Sequence, residues 1–257
     1  MIQEKYQNIN LVNIDVKKFI EKSQLRNIWN KLQTSQFYVP HLSDVLRILI
    51  LEEFGGIYLD LDALIIRPLP DNENFIGLNE IGINNYELNN GVMKFQTNNL
   101  ILQEIIFGLS KYFDGDYYAG NGPQLITKVV KDVCEGKFQN CDHLCTDVKA
   151  TCLNLTIYDN WVFYPISYFN WEKLYESTTT FDFSLLYKSS YSVHLWNKLS
   201  FPIERAPKSS PIRKVVEENC PNVNNIMLNF CQTNPTLCLP YPKGKLLCES
   251  LLNCRLM

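Results

Sequence analysis

Asp60 and Asp62 close an apolar stretch, GGIYLDLD (residues 55–62), in which a single leucine separates two carboxylates. If the stretch is a strand, alternate side chains point to opposite faces, so Tyr58, Asp60 and Asp62 share one face. The Cα atoms of the two aspartates would then lie about 6.6 Å apart, so one divalent cation could bind both carboxylates, directly or through water. Mg²⁺ and Mn²⁺ prefer oxygen ligands and leave positions open for substrate phosphates. The spacing therefore predicts a metal-assisted phosphate site.

Three other interpretations of the two aspartates compete with a metal site. Phosphatases that form an aspartyl-phosphate also carry D-x-D after an apolar strand, but Ala63 and Leu64 follow here and no lysine motif accompanies them. A glycoside hydrolase needs carboxylates on opposite sides of the scissile bond, which two aspartates on one strand face do not provide. The third interpretation is a solvated strand end with both carboxylates in water.

A second pair of charges, Asp44 and Arg47, precedes the aspartates in SDVLRILILEEF (residues 43–54). We predict a helix over about Asp44–Phe54, with Ser43 as its N-cap and Gly55 as the residue that lets the chain turn. A helix that is apolar nearly all round is buried, and ionic groups in it need partners. The pair is either a local ion pair or a binding site for sugar hydroxyls or a phosphate.

The elements that position these residues alternate between strands and helices. The further expected strands are Asn8–Val16, one ending at Asp62 before Pro68 and Pro70, Gly91–Phe95 and Tyr191–Trp196; the further expected helices are Val16–Gln33, Leu100–Tyr112 and Gln124–Val133. Helices between strands indicate an α/β fold with a mostly parallel central sheet flanked by helices. Open sheets of this kind bind ligands beyond the carboxyl ends of their strands, where the aspartate pair is expected.

Composition excludes several classes of protein. The 257 residues carry a net charge of only −3 and no basic cluster with interleaved aromatic residues, so a nucleic-acid-binding domain is not expected. The longest apolar run, Val45 to Leu51, contains Arg47 and is far shorter than the roughly 20 residues that a spanning helix needs. The first residues show no signal-peptide pattern, so we expect a soluble chain.

The cysteines indicate an oxidising compartment. None of the nine precedes Cys134; they are Cys134, Cys141, Cys145, Cys152, Cys220, Cys231, Cys238, Cys248 and Cys254. Cysteines gathered in a loop and a tail suit a disulfide-bonded secretory-pathway protein, and Asn154-Leu155-Thr156 is a glycosylation sequon. The odd count leaves at least one thiol unpaired or bonded to another chain. A zinc site in the first cluster, with His143 as a ligand, is the alternative.

Five ordered segments together resemble a known family. They are HLSDVLRILILEEFGGIYLDLDALIIRPL (41–69), NNGVMKF (89–95), GNGPQLITKVV (120–130), FYPISYFNWEKLYE (163–176) and YSVHLWNKLS (191–200). Over about residues 8–221 the chain resembles the DXD-containing family 32 glycosyltransferases, and within it the branch that forms α1,4 linkages. That likeness implies the A-type glycosyltransferase fold, a nucleotide-diphospho-sugar transferase sheet.

The resemblance implies roles for individual residues. Asp60 and Asp62 match the DXD motif that holds Mn²⁺ (or Mg²⁺) against the UDP diphosphate, with His194 as a further metal ligand. Gln124 matches a position near the reacting carbon. The positions matched to donor binding are Asp44, Arg47, Tyr58, Asn90, Gly91, Gly122, Pro123, Trp196 and Lys198. From the residues alone, His194 and Trp196 could also be core side chains.

The resemblance also implies an activity and a location. The expected reaction is retaining transfer of galactose or N-acetylgalactosamine from UDP-Gal or UDP-GalNAc to a glycosphingolipid with an α1,4 linkage. The alternatives are a truncated homologue that only binds nucleotide or glycan, and a same-fold enzyme using another donor such as GDP-mannose. We expect a Golgi-lumenal catalytic domain over residues 1–221, without the N-terminal strand and membrane anchor of the family, and a cysteine-containing tail over residues 222–257. Membrane contact is then expected only through that anchor or the lipid acceptor.

Overall fold

The part of the chain that the structure describes contains a five-stranded and a two-stranded β-sheet. The computed structural model describes residues 7–71, 73–82, 85–134, 150–177, 181–200, 206–207 and 209–220. The strands in these ranges are β1 (Gly56–Leu59), β2 (Ala63–Ile65), β3 (Asn74–Gly82), β4 (Asn85–Phe95), β5 (Ala150–Cys152), β6 (Leu155–Tyr158) and β7 (Ser192–His194). One sheet has the order β1-β4-β3-β6-β5, and β2 pairs with β7 in a second.

Helices precede the first strand, connect several of the strands and follow the last one along the chain. The α-helices of the described ranges are α1 (Val16–Lys22), α2 (Trp29–Gln33), α3 (Tyr38–Phe54), α4 (Leu100–Tyr112), α5 (Pro123–Val133), α6 (Asn160–Phe163), α7 (Phe183–Ser189), α8 (Asn197–Ser200) and α9 (Pro211–Asn219). The described residues also contain two 3₁₀-helices, Arg26–Ile28 and Tyr168–Leu174. None of these helices combines the length and the apolar character that crossing a bilayer requires.

The α/β class with flanking helices is confirmed, but the strand pairing is mixed rather than mostly parallel. In the described sheet only β3 and β6 run parallel. The pairs β1–β4, β3–β4, β5–β6 and β2–β7 are antiparallel. Two residues separate β3 from β4 and two separate β5 from β6, and connections this short join antiparallel neighbours. The sequence pattern did not predict β3, β5 or β6, so it could not show these direct connections.

The prediction of a strand over Asn8–Val16 is wrong, because this stretch has no strand: Asp15 is the N-cap of α1 and Val16 is its first residue. The Asp15 carboxylate accepts a hydrogen bond from the backbone N–H of Lys18, 3.1 Å away, which satisfies one free donor of the first helical turn. The single helix predicted over Val16–Gln33 is interrupted at Ser23. The Ser23 hydroxyl donates to the carbonyl of Ile20 at 2.8 Å and competes with helical bonding there.

Helix α3 begins at Tyr38, earlier than predicted, so Ser43 is not its N-cap but lies inside the helix. Pro40 falls within the first turn, where a proline is tolerated because the backbone N–H groups have no helical partner. The predicted end is confirmed. Gly55 follows the helix with φ 64°, a left-handed conformation that glycine adopts without a steric cost.

The other predicted helices and strands are present, and most of them differ from prediction in where they begin or end. The segment Gly91–Phe95 is the second half of β4, α4 spans Leu100–Tyr112 as predicted, and α5 begins one residue early at Pro123. The predicted strand Tyr191–Trp196 shortens to β7. The strand predicted to end at Asp62 stops at Leu59, and a turn leads from there into β2.

Among the described residues, three hydrophobic clusters pack the helices and strands together. The largest packs the helices α1 to α5 against the face of β3 and β4 that carries Ile76, Leu88 and Met93. A second surrounds β7 and α9. The third is mainly aromatic, contains Phe75, Phe163 and other large rings, and lies on the other face of β3 and β4. The two aspartates lie at the edge of this third cluster, where β1 ends and β2 begins.

Strand β4 has an irregularity that positions the site. Ile76 of β3 faces Met93, but the next residue, Gly77, faces Asn89, so residues 90–92 bulge out of the β3–β4 ladder. Bulges change the direction of side chains and are common beside active sites. In this bulge the carbonyl of Gly91 accepts a hydrogen bond from the backbone N–H of Asp60 at 2.7 Å. Residues 90–92 are thereby fixed against the first aspartate.

Candidate metal and sugar-nucleotide site

Asp60, Asp62 and His194 come together although 131 residues of sequence lie between the last two. Asp60 follows β1, Asp62 precedes β2, and His194 pairs with Ala63 across the β2–β7 ladder. His194 Nε2 lies 3.7 Å from Asp60 Oδ2 and 3.4 Å from Asp62 Oδ1. One ligand atom from each of the three residues lies within 4.8 Å of the others. Carboxylate oxygens are the ligands that Mn²⁺ and Mg²⁺ prefer, and a neutral imidazole nitrogen is a common metal ligand.

The two aspartates share one side of the chain, as predicted. The Tyr58 hydroxyl donates to Asp60 Oδ1 at 2.8 Å, on the same side. The alternate residues Ile57, Leu59 and Leu61 are exposed. The strand periodicity therefore continues through the turn beyond Leu59, and Tyr58 contacts the site directly.

Gly91 leaves the space that a cation between these ligands needs. A Cβ atom added to Gly91 would lie 2.8 Å from Asp60 Oδ2 and 3.2 Å from His194 Nε2. The first of these separations is shorter than real Cβ contacts, so any larger side chain would displace the carboxylate. The residues present therefore fit a divalent cation, and the fit depends on glycine at this position.

Arg47 neutralises this acidic cluster from α3. Its Nη1 lies 3.1 Å from Asp60 Oδ1 and donates to the carbonyl of Asn90 at 2.9 Å, while the side chain is almost fully buried. Burial alone would raise the pKa of Asp60, but the nearby His194 imidazole and the charge of Arg47 lower it to about 2. Asp60 is therefore ionised at neutral pH, the state a metal ligand requires.

Asp44 is the second buried partner of Arg47, 3.5 Å from its Nη2. Asn90 Nδ2 donates to Asp44 Oδ1 at 2.8 Å. Burial raises the pKa of Asp44, while Arg47 and Asn90 oppose that shift. The buried charges on α3 thus have partners within the protein, so they do not depend on a ligand for compensation.

Gly122, the residue before α5, packs against the side chains of Asp44 and Asn90. A Cβ atom added to Gly122 would lie 2.8 Å from Asp44 Oδ2 and 2.9 Å from Asn90 Nδ2. Pro123 is the first residue of α5, where its fixed φ suits a helix start. Gln124 follows it, and its Nε2 donates to the Tyr117 hydroxyl at 2.9 Å. Gly122 therefore contacts the charge cluster, whereas Gln124 contacts the loop before α5.

Trp196 and Lys198 follow His194, the third residue of the candidate metal site, along the chain. Trp196 is buried: its indole N–H donates to the carbonyl of Ile166 at 2.8 Å, and its ring centroid is 4.3 Å from that of His194. Of the two interpretations of Trp196, core side chain and binding residue, the structure therefore supports the first. Lys198 Nζ lies 3.1 Å from the centre of the Tyr118 ring, so α8 contacts the loop before α5.

Tyr164 is a site residue that sequence reasoning missed. It is fully buried, accepts a hydrogen bond from the backbone N–H of Val92 at 2.9 Å, and its ring centroid lies 5.6 Å from that of His194. Burial raises its pKa well above the usual value. The signal was its place in the segment FYPISYFNWEKLYE, one of the five that carry the resemblance. Nothing local distinguishes it from a core tyrosine.

The first cysteine cluster contains a disulfide between Cys134 and Cys152, which joins the end of α5 to β5. The bond excludes both residues as thiolate ligands, so the zinc alternative loses two of its proposed ligands. The other residues of that alternative, Cys141, His143 and Cys145, lie outside the described residues. So does the predicted tail over residues 222–257.

The fold and the site together define a class, that of α/β proteins with an aspartate–x–aspartate cation site. Two family models match the chain: "Glycosyltransferase sugar-binding region containing DXD motif" over residues 3–87 and "Alpha 1,4-glycosyltransferase conserved region" over residues 94–227. The second alone covers more than half of the 257 residues. The chain belongs to this α1,4-glycosyltransferase family, which confirms the resemblance seen in the sequence.

Curated relatives share this region. Lactosylceramide 4-alpha-galactosyltransferase of Rattus norvegicus is 29% identical over 197 residues, which are 76% of this chain and 52% of that protein. Alpha-1,4-N-acetylglucosaminyltransferase of Homo sapiens is 30% identical over 196 residues, 75% of this chain and 54% of that protein. The chain therefore spans about half the length of these relatives. Among solved structures, the PaToxG glycosyltransferase is similar with a TM-score of 0.42 at 18% identity, covering 54% of this chain and 53% of that one.

Proposed function

We propose that this protein is a retaining hexosyltransferase that moves a sugar from a UDP-sugar to a glycolipid acceptor through an α1,4 linkage, assisted by a divalent cation. The observation that carries the proposal is the convergence of Asp60, Asp62 and His194 around the space beside Gly91. Membership of the α1,4-glycosyltransferase family supports the reaction class. The name of one relative, lactosylceramide 4-alpha-galactosyltransferase, supports a glycolipid acceptor.

In this proposal Asp60, Asp62 and His194 hold Mn²⁺ or Mg²⁺. A cation bound there supplies positive charge beside the diphosphate of the departing UDP. Arg47 keeps Asp60 ionised and oriented, because it approaches Oδ1 and leaves Oδ2 facing His194. Tyr58 donates its hydroxyl hydrogen bond to the same oxygen, Asp60 Oδ1, and helps to fix the carboxylate.

The donor sugar is proposed to lie against the surface formed by Asp44, Asn90, Gly91, Gly122 and Pro123. Carboxylate and amide groups bind sugar hydroxyls, and the two glycines let the ligand approach the backbone. The acceptor hydroxyl bonds to the anomeric carbon on the face that UDP leaves, and its proton passes to the departing diphosphate. Gln124 is proposed to lie near this carbon, and Lys198 beside the diphosphate. Trp196 positions His194 by packing against its ring.

The donor sugar is the least constrained part of the proposal. Galactose and N-acetylgalactosamine were expected from the sequence, and one relative is named for N-acetylglucosamine transfer. A panel of radiolabelled UDP-Gal, UDP-GalNAc, UDP-GlcNAc and GDP-mannose, each incubated with lactosylceramide and Mn²⁺, identifies the donor. We expect transfer from one of the UDP-sugars. Transfer from GDP-mannose alone would contradict the UDP assignment, and no transfer or hydrolysis from any donor would favour a non-catalytic homologue.

The proposed location is the Golgi lumen, with the catalytic domain over residues 1–221 and contact with the membrane through the lipid acceptor or an N-terminal anchor. The Cys134–Cys152 disulfide supports an oxidising compartment. The exposed position of Asn154 in the sequon Asn154-Leu155-Thr156 is compatible with a glycan there.

A further inference from the structure

Two adjacent aromatic side chains, Tyr168 and Phe169, face solvent at the start of a 3₁₀-helix. Tyr168 is 44% exposed and Phe169 57% exposed. Their ring centroids lie 5.7 Å apart in an edge-to-face arrangement. Single exposed apolar residues are common, but two large rings side by side present a continuous apolar surface.

This pair lies next to the proposed metal site. The Tyr168 ring meets the edge of Trp196, with ring centroids 5.7 Å apart, and the Trp196 ring is 4.3 Å from His194. Two ring contacts therefore separate an exposed tyrosine from a proposed metal ligand. A sugar that reacts beside His194 would have its neighbouring units within reach of Tyr168.

The backbone around the pair is fixed to the strand that carries His194. Before it, the carbonyl of Ile166 accepts from the Trp196 indole; after it, the Tyr175 hydroxyl donates to the carbonyl of Leu195 at 2.6 Å. Asn170 Nδ2 donates to the Ser167 hydroxyl at 3.0 Å within the turn. The aromatic surface is thus held in place before a ligand arrives, which lowers the entropy cost of binding.

We propose that Tyr168 and Phe169 form a stacking platform for the saccharide of the acceptor, a site that rests on the proposed glycosyltransferase function. A hexose has an apolar C–H face that packs on an aromatic ring, and the Tyr168 hydroxyl provides a polar group at the rim of that surface. The same segment contains Glu172, Lys173 and Glu176, so it lacks the excess of basic residues that draws a protein to an anionic membrane. The saccharide is therefore the better match for this surface.

The test is an NMR titration of the full chain with free lactose, the sugar named in the relatives' acceptor, in the presence of UDP and Mn²⁺. Tyr168→Ala and Phe169→Ala are each expected to weaken lactose binding about tenfold, while UDP affinity in the presence of Mn²⁺ stays unchanged. Tyr168→Phe and Phe169→Tyr keep the rings and are expected to restore most of the binding. Phe107→Ala removes a ring of similar exposure from α4 and is expected to change nothing.

Three results would overturn the platform. The first is an unchanged lactose affinity in both alanine variants, and the second is no lactose binding by the unaltered chain. The third is a loss of binding to lactosylceramide vesicles in the alanine variants while their lactose affinity stays intact, which would make the pair a membrane contact. The platform and the proposed function fail separately. If UDP binding gains nothing from Mn²⁺ but lactose binding still depends on Tyr168, the transferase proposal fails and the platform stands.

Discussion

At the scale of single residues, the site depends on small groups placed against charged ones. Gly91 and Gly122 each lie where a Cβ atom would meet a carboxylate oxygen at 2.8 Å. Arg47 lies between the carboxylates of Asp44 and Asp60 and balances both. Gly91 and Gly122 therefore set the space for a ligand, and Arg47 sets the balance of charge around it. Each of these residues can be tested by one substitution.

Gly91→Ala is expected to abolish the metal dependence of UDP binding, with a loss of at least about tenfold in UDP affinity in Mn²⁺, or about 1.4 kcal/mol. The added methyl group would displace Asp60 Oδ2 and crowd His194 Nε2. The measurement is isothermal titration with UDP and Mn²⁺. Gly82→Ala is the matched control, since its Cβ would meet Asn85 at an ordinary 3.7 Å. Equal UDP affinity in both variants would refute the metal position.

Arg47→Leu is expected to lower the free energy of unfolding by about 3–5 kcal/mol, because it leaves the buried Asp44 carboxylate and the partly buried Asp60 carboxylate without their cation. Urea denaturation followed by circular dichroism measures the change. Lys17→Leu removes the exposed ion pair with Glu21 and should cost less than about 1 kcal/mol. A loss as small as that of the control would show that Arg47 does not balance the cluster.

At the scale of elements, β4 contributes an unusual carboxylate. Glu87 is half-buried on this strand, and burial raises its pKa. In the described part of the chain it has no hydrogen bond or ion pair. Because the folded protein holds this proton more tightly than the unfolded chain does, the stabilisation is complete below the ordinary glutamate pKa of 4.5 and is lost as pH rises through the raised value.

Glu87→Gln is therefore expected to raise the melting temperature at pH 7 and to leave it unchanged well below pH 4.5. Glutamine keeps the shape of the side chain and removes the charge that burial disfavours. Thermal melts across this pH range measure the effect, with Glu104→Gln on the exposed face of α4 as the control. A difference between Glu87→Gln and the unaltered chain that is independent of pH would contradict the account.

The disulfide between α5 and β5 is the other element-scale contribution. It closes a loop with a sequence separation of 18 residues, and bonds of that span stabilise a fold by about 3 kcal/mol. The double variant Cys134→Ala/Cys152→Ala is expected to lose about that free energy of unfolding in urea. An unchanged urea midpoint in the double variant would mean that the bond contributes nothing to stability.

The boundaries of the helices and strands show which features of the fold are determined by the local sequence. The end of α3 was predictable because Gly55 provides a positive φ that few residues adopt. Its start was not, because the first turn is stabilised by distant partners: His41 is fully buried and lies within hydrogen-bonding distance of the carbonyls of Tyr117 and Tyr118. A strand was also predicted over Asn8–Val16, but no neighbouring strand pairs with that stretch in the described sheet.

The site was predictable to the extent that it is local. A period of two residues placed Asp60 and Asp62 on one side correctly, although the strand ends before them. The approach of His194 results from β2–β7 pairing, which no local pattern encodes, and it was expected only from the family resemblance. The local ion pair of Asp44 and Arg47 was among the expectations, whereas Tyr164 and the contact of Arg47 with Asp60 depend on long-range packing and were missed.

At the scale of the whole molecule, the proposed site lies at the junction of two sheets. Asp60 follows a strand of the five-stranded sheet, His194 ends a strand of the two-stranded one, and Asp62 lies on the turn that connects them. The aromatic cluster of Phe163 and Tyr164 packs beneath this junction. Rigid elements on both sides can therefore hold the three proposed ligands together, which is the arrangement that the transferase proposal requires.

The central claim is that this junction holds a cation that binds UDP, and isothermal titration with UDP tests it most directly. We expect the unaltered chain to bind UDP at least about a hundredfold more tightly in Mn²⁺ than in EDTA, and Asp62→Asn, which keeps the side chain's shape, to remove that difference. Equal UDP affinity with and without Mn²⁺, together with an unchanged Asp62→Asn variant, would contradict the account.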